Sequence, residues 1–496
     1  MTRSALAPAV RAAALAAVLA LACAVPAARA APYVYVGSPT TGVFQYGVGA
    51  GGLLSPLSNP SIGAPGANQV AVTPDGKSVY AATPGGVAQF DILEGGQLTP
   101  KNPPVIPTAS QPLAIAVSPD GTSAYVSLFA NAVAQYDIVA GGGTLAPKAT
   151  PTLLIIGVSG GVAVSPDGKS VYVAFENPTA DSAAAVAQFS VGAGGALAPK
   201  NPPTVNAGLG PSGGVAVSPD GKSLYAVNSG SQTISQYDVG AGGLLTPKSV
   251  DAAGAGDTPV EIALTPDGKS AYIANFGEGP GQSGGSISEY NVLSNGELFA
   301  KRPATLPANN AADVEVSADG RSAYVSGRSG VYQFDISSNN DQLQPKSPPT
   351  VASGPGFGLA LSPVLATPGA DVLFGTAGPN TICGLGGKDE INGLGGADVL
   401  YGDRCGEKAG KGSHDVIRGG GGRDKLFGGA GRDRLIGGGG HDRIHGGPGR
   451  DRIVAGDGRD VLDVRGGGRD RVDCGDGRDK VKVDGRDRAR NCERVR

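Results

Sequence analysis

Between Ala31 and Pro363, apolar and polar residues alternate in short runs that repeat as one phrase. Its first half reads "VAVTPDGKSVYAA" at Val70 and recurs at Ile115, Val162, Val215, Ile262 and Val314. Each copy is an apolar alternation, a Pro-Asp-Gly-type turn, then a second alternation ending in tyrosine and small residues, which is the pattern of a β-hairpin. A third run follows ("VAQFDI", "VAQYDI", "VAQFSV", "ISQYDV", "ISEYNV", "VYQFDI"), then a weaker fourth such as "GGLLTPK". Four short strands recurring every 45 to 53 residues describe a propeller blade. The segment "YVYVGSPTTGVFQYGVGAGGLLSPL" supplies strands two to four of such a unit, and "GFGLALSP" at Gly356 supplies only the first. Joined, they complete a seventh blade and hide a sheet edge.

After Thr367 the period falls to nine. In "GGAGRDRLIGGGGHDRIHGGPGRDRIV" (428–454) each phrase has glycine at its first and second places, aspartate at the sixth and an aliphatic residue at the eighth. The sixth places are Asp371, Asn380, Asp389 and Asp398, then, after an interruption, Asp415, Asp424, Asp433, Asp442, Asp451 and Asp460. Asp470, Asp479 and Asp487 follow after steps of ten, nine and eight. Glycine permits the tight turns, and two phrases make one eighteen-residue coil. Stacked as parallel strands, successive coils bring each aspartate to about 4.8 Å from its neighbour eighteen residues on. Like charges that close call for a cation, and hard oxygen ligands suit calcium. Arginines at the fifth place (Arg423, Arg432, Arg450, Arg459, Arg469, Arg478) offer an alternative, an arginine–aspartate ladder that needs no metal.

Charge refines the picture. From Thr367 onward 24 basic residues face 21 acidic ones, whereas residues 31–366 carry 13 against 22, so neither part is basic enough to announce nucleic acid. Residues 1–30 read as a signal peptide: Arg3 and Arg11, an apolar run from Ala12 to Val25, and Ala28-Arg29-Ala30 as a cleavage site. The run is short for a membrane span, and no other stretch of the mature chain offers one. The expected location is therefore extracellular, free or at the cell surface. With Cys23 removed, four cysteines remain, all in the tail, and an even number in an exported chain favours disulfides.

Two resemblances follow from these residues. The "SPDGKSVYV" and "VAQYDI…GGxLxPK" phrases resemble the seven-bladed lactonase-type propellers, related to 6-phosphogluconolactonase, and the YVTN-type surface propellers. The nine-residue beat resembles the repeats-in-toxin (hemolysin-type) calcium-binding nonapeptide. That second resemblance implies Ca²⁺ held by glycine-turn carbonyls and by Asp371, Asp389, Asp398, Asp424, Asp433, Asp442, Asp451, Asp460, Asp470 and Asp479. The pairs Asp424–Asp442, Asp433–Asp451 and Asp442–Asp460 are the best sites. The nearby arginines imply an affinity of about 10⁻⁴–10⁻³ M. Cys474 and Cys492 are one coil apart and suit a disulfide; Cys383 with Cys405 would clip the interrupting loop to the first coils.

The expected architecture is all-β: a seven-bladed β-propeller (31–364) followed by a parallel β-roll (365–496). The propeller contains no histidine, which removes a histidine base from any lactonase-type site. Six blades place alanine at the middle of the inner strand (Ala71, Ala116, Ala163, Ala216, Ala263, Ala360), and the sixth places Glu315 there. With Glu261 and Asp313 nearby, and Arg328 as partner, this is the candidate ligand or general-base site; a hydrated channel acid is the plainer reading. The function expected is non-enzymatic binding of an extracellular or cell-surface ligand. The alternatives are a lactone hydrolase at the channel, and polyanion binding by the arginine-rich roll face. His441 and His445 fall at outward places and suggest no transition-metal site.

Overall fold

A computed structural model of the chain describes residues 33–155, 157–177, 183–209, 212–277, 284–352, 355–363, 370–375, 380–403, 412–466 and 468–495. The segment read as a signal peptide, Cys23 and Cys405 lie outside them. Among the described residues the chain is almost wholly strand, with three single 3₁₀ turns (Ala50–Gly52, Ala193–Gly195, Ala241–Gly243). No helix among them is long and apolar enough to cross a membrane.

Seven four-stranded antiparallel sheets form the propeller. Blade 1 (70–106) runs Val70–Val72, Ser78–Thr83, Gly86–Ile92 and Leu98–Ile106 from the channel outward. Blades 2 to 6 (112–154, 158–209, 212–254, 259–307, 313–351) repeat it. Blade 7 joins the two ends of the domain: Leu359–Leu361 pairs with Tyr33–Ser38, setting Val36 opposite Leu359 and Val34 opposite Leu361. The turn aspartates act locally. A Ser or Thr hydroxyl two residues earlier and the amide two residues later both donate to Asp75, Asp120, Asp167, Asp220, Asp267 and Asp319, which closes each turn.

Neighbouring blades are tied by polar clasps that the repeated phrase encodes. The glutamine of each third strand is buried, and its Oε1 accepts the amide of a leucine that opens the next blade's fourth strand, at 2.6–3.0 Å. Gln45, Gln89, Gln135, Gln188, Gln236 and Gln333 do this, with Glu289 in blade 5, so the clasp runs unbroken around the ring. A second ring links each buried second-strand tyrosine hydroxyl to a carbonyl of the next blade at 2.5–2.8 Å. Lys101, Lys148, Lys200, Lys248, Lys301 and Lys346 extend the seam; Lys101, Lys148, Lys248 and Lys346 each pair with an aspartate of their own blade and donate to a turn carbonyl of the next. Replacing Gln188 by leucine would orphan the buried Leu245 amide and is expected to cost about 1–3 kcal/mol. Lys77→Ala, at an exposed turn, should stay within about 0.5 kcal/mol. Urea midpoints of the two variants distinguish seam from surface.

The roll has two seven-stranded parallel sheets. Register follows the coil: Val372 faces Glu390 and Arg434 faces Arg452. It survives the irregular steps, with Glu390 facing Val416 across the interruption, Arg452 facing Arg471 and Arg471 facing Arg488. The eighth-place aliphatics, from Leu373 and Ile391 to Val472 and Val481, stack into one buried column. Keeping these residues inward holds the register, because a one-residue slip would turn the whole set outward. Cys474 and Cys492 form a disulfide with Cα atoms 5.3 Å apart. Cys383 is also disulfide-bonded; its expected partner, Cys405, lies outside the described residues.

Candidate metal centre and channel carboxylates

From Asp371 to Asp479 the sixth-place aspartates turn their side chains into the roll. Asp371, Asp389, Asp398, Asp424, Asp433, Asp442, Asp451, Asp460, Asp470 and Asp479 are each at most 4% exposed. From Asp389 onward, one oxygen of each carboxylate is taken by the coil before it. The Asp424 amide donates to Asp442 Oδ1 at 2.9 Å, that of Asp433 to Asp451 at 2.9 Å and that of Asp442 to Asp460 at 2.8 Å. Asp371 reaches Asp389, and Asn380 reaches Asp398, in the same way. Across the interruption Asp389 binds Asp415 and Asp398 binds Asp424, both at 2.9 Å. At the far end Glu493 takes the place of an aspartate, accepting the Asp479 amide at 2.6 Å. Glu493, off the nine-residue beat, thus joins a row, and the carboxylate of Asp403 accepts the Ala430 amide of a turn at 2.9 Å.

The other oxygen is the informative one. Oδ2 of Asp389, Asp398, Asp424, Asp433, Asp442, Asp451, Asp460, Asp470 and Asp479 is buried without a hydrogen-bond partner among the described residues. Such an atom is costly unless something compensates it. Backbone carbonyls point into the same spaces. A Cβ placed on Gly419 would lie 2.4 Å from Asp424 Oδ2 and 2.6 Å from the Gly437 carbonyl; on Gly437 it would lie 2.5 Å from Asp442 Oδ2 and 2.3 Å from the Ala455 carbonyl. Gly384, Gly393 and Gly428 repeat the arrangement. Glycine is required there because any side chain would fill the cradle. The donor set is carboxylate and carbonyl oxygen, which fits calcium, and these aspartates with the facing carbonyls would hold it.

Burial pushes the carboxyls far above the ordinary carboxylate range: Asp433 to about 8, and Asp389, Asp398, Asp442 and Asp451 to about 7. Desolvation is the main cause and neighbouring carboxylates add to it, while the donated amides pull the other way. No ion pair among the described residues joins a fifth-place arginine to a sixth-place aspartate, as the metal-free ladder requires. Among the described residues, the ion pairs of the roll join Arg418 to Glu390, Arg465 and Lys482 to Asp463, and Arg490 to Asp473. None reaches a sixth-place aspartate, because those carboxylates face in while the arginines face out. His441 and His445 are exposed.

In the propeller, Glu261, Asp313 and Glu315 line one cavity, the central channel. Asp313 is 2% exposed and uses both oxygens on backbone, accepting the Val314 amide and, across the seam to blade 7, the Leu359 amide, each at 2.7 Å. The partner expected in Arg328 is not there. Arg328 is exposed on the hairpin beyond Ser322–Gly327, one strand out from the channel, and among the described residues it makes no ion pair with the three acids. Gln69 stands in its place, its Nε2 lying 3.4 Å from Glu261 Oε2 and 3.5 Å from Asp313 Oδ2. The signal was in the blade alignment. At the residue preceding each inner-strand core position the seven blades carry Gln69, Ala114, Gly161, Gly214, Glu261, Asp313 and Gly358. A Cβ on Gly214 would sit 1.8 Å from Glu261 Oε1, so glycine in that blade gives the glutamate its room. Burial, and then mutual repulsion, holds Asp313 and Glu315 well above the ordinary carboxylate range; burial does the same for Glu261.

Two family models match separate parts of the chain. The RTX calcium-binding nonapeptide repeat matches four copies, at residues 365–403, 409–444, 436–468 and 445–481. The seven-bladed β-propeller lactonase model matches residues 215–353. No curated protein matches the chain. Among solved structures, a putative 6-phosphogluconolactonase from Bacteroides fragilis is 17% identical with a TM-score of 0.56, covering 67% of this chain and 98% of its own. A periplasmic gluconolactonase of Pseudomonas aeruginosa is 19% identical with a TM-score of 0.54, covering 67% and 99%. Likeness at these identities speaks for the fold of the propeller. The chain is thus a seven-bladed propeller of the lactonase type joined to a roll of RTX calcium-binding nonapeptide repeats.

Proposed function

We propose that this is an exported binding protein whose tail is assembled by calcium outside the cell, and whose propeller recognises an extracellular or cell-surface ligand without catalysis. The observation that carries the reading is the set of nine buried Oδ2 atoms in the roll. They make folding of the tail depend on a cation that is scarce inside cells and abundant outside. The channel supports the non-catalytic part. Asp313 is committed to backbone amides, the inner-strand middles are alanine apart from Glu315, and the side-chain donor beside the acids is a neutral glutamine.

One observation favours a second reading, hydrolysis of a lactone. Glu261, Asp313 and Glu315 converge on one cavity with raised proton affinity, which is the state of a general base near neutral pH. A hydrolysis assay on gluconolactone and 6-phosphogluconolactone at pH 7 separates the two. The binding reading expects no rate above buffer, and no difference between the wild type and Glu261→Gln. Acceleration that Glu261→Gln and Glu315→Gln both abolish would establish the hydrolase instead.

A further inference from the structure

The roll sheet that begins at Val372–Phe374 brings the seventh-place residues of successive coils into one column: Val372, Glu390 and Val416, then arginine in each of the last four coils. Arg434, Arg452, Arg471 and Arg488 face one another in register, at the ~4.8 Å spacing of neighbouring strands. All four are exposed. Two places earlier in the same coils stand Arg432, Arg450, Arg469 and Arg486, also exposed. Among the described residues none of the eight is ion-paired; of the acids in this sheet, Glu390 and Asp473 are engaged with Arg418 and Arg490, and Asp457 and Asp476 stand opposite one another at the far end of their strands. The other sheet is less uniform, since its column Lys425, Arg443, Val461, Lys480 is broken by valine.

Like charges set directly opposite in neighbouring strands are unfavourable, so eight of them on one flat face call for a counter-charge. Guanidinium forks bind carboxylate and sulfate in a bidentate manner. A straight ladder of equal rungs suits an extended chain that carries a charge on each repeating unit. Single-stranded nucleic acid would call for aromatic platforms between the cations, and here the column beside Arg434 and Arg452 holds Ile436 and Val454. The geometry points to a docking surface for a linear carboxylated or sulfated polysaccharide, laid across the last four coils along the two arginine columns. This surface exists only in the folded roll and so rests on the calcium reading.

The test uses the full chain in calcium, with hydrogen exchange of tail peptides recorded beside binding to dextran sulfate, carboxymethyl-dextran and neutral dextran. Both charged polymers are expected to bind and neutral dextran is not; their relative affinities tell sulfate from carboxylate. With at least four contacts and a salt slope of about 0.7 per contact, raising salt from 50 to 200 mM should weaken binding at least ~50-fold. Arg452→Gln with Arg471→Gln should lower that slope by about 1.4 while tail protection stays intact, and the matching lysine pair should restore it. The docking surface is overturned by an unchanged slope in the glutamine pair, by equal binding of neutral dextran, or by a single-stranded oligonucleotide that binds as tightly as the charged dextrans. A tail that stays unprotected in calcium overturns the calcium reading itself.

Discussion

Calcium chelation at pH 8 is expected to strip hydrogen-exchange protection from the tail peptides while the propeller peptides keep theirs. Within the roll, the oxygens that amides do not satisfy are the buried Oδ2 atoms, and without a cation each must carry its charge unsolvated or take up a proton. Their raised proton affinities give the sign. Asp433 lies at about 8, and Asp389, Asp398, Asp442 and Asp451 at about 7, against about 3.9 for an unfolded aspartate. A group whose folded value is raised contributes stability that is full below its unfolded value and is lost as pH rises through the folded one. The chelated tail should therefore be better protected at pH 5 than at pH 8, and calcium should reverse the loss at pH 8.

Substitution separates charge from shape. Asp433→Asn with Asp442→Asn keeps an oxygen for the Asp415 and Asp424 amides and removes two buried charges. In chelator at pH 8 this variant should be more protected than wild type, and its gain on adding calcium should be smaller. The alanine pair removes the amide acceptors as well and should be less protected under both conditions. If the chelated wild-type tail were as protected at pH 8 as in calcium, the cation would have no place in the fold.

The second large effect lies in the channel. Glu315→Gln and Glu261→Gln are expected to stabilise the propeller at pH 8, each by about 1–3 kcal/mol, and to flatten its pH dependence. All three acids are held above the ordinary carboxylate range, first by burial. Wild-type stability is thus full at low pH and declines as pH rises through their folded values. Asp313→Ala should act in the opposite direction. It orphans the Val314 and Leu359 amides, the second of which belongs to the strand that closes the ring, at about 1–3 kcal/mol for each. Urea midpoints between pH 5 and 8 decide the matter; a Glu315→Gln profile parallel to that of wild type would show that the channel acids stay solvated and ionised.

Much of this was readable from the chain and some of it was not. The blade phrase could be counted because each strand carries its own alternation and each turn its own aspartate. Arg328 was the natural partner for Glu315 as one of three arginines between Ala31 and Pro363, yet the hairpin geometry carries it away from the channel. Gln69 meets Glu261 and Asp313 from 192 and 244 residues away, and nothing in its own neighbourhood marks it. The clasping glutamines were visible in "VAQFDI" only as part of the phrase, since a residue present in every blade reads as repetition whether it points at solvent or at the next blade.

By itself, then, the sequence determined the seven blades, the closure of the first strand onto the last segment, and the eighteen-residue coil with its rows of aspartates. All of these follow from short-range periodicity and turn chemistry, which every local stretch carries. Only the tertiary structure decided which carboxylate oxygen is satisfied and which is left bare, which blades meet at the channel acids, and that eight arginines share one face of the roll. Those outcomes depend on distances between residues far apart in the chain, set by how strands stack and blades close, and a repeat leaves no local mark of them.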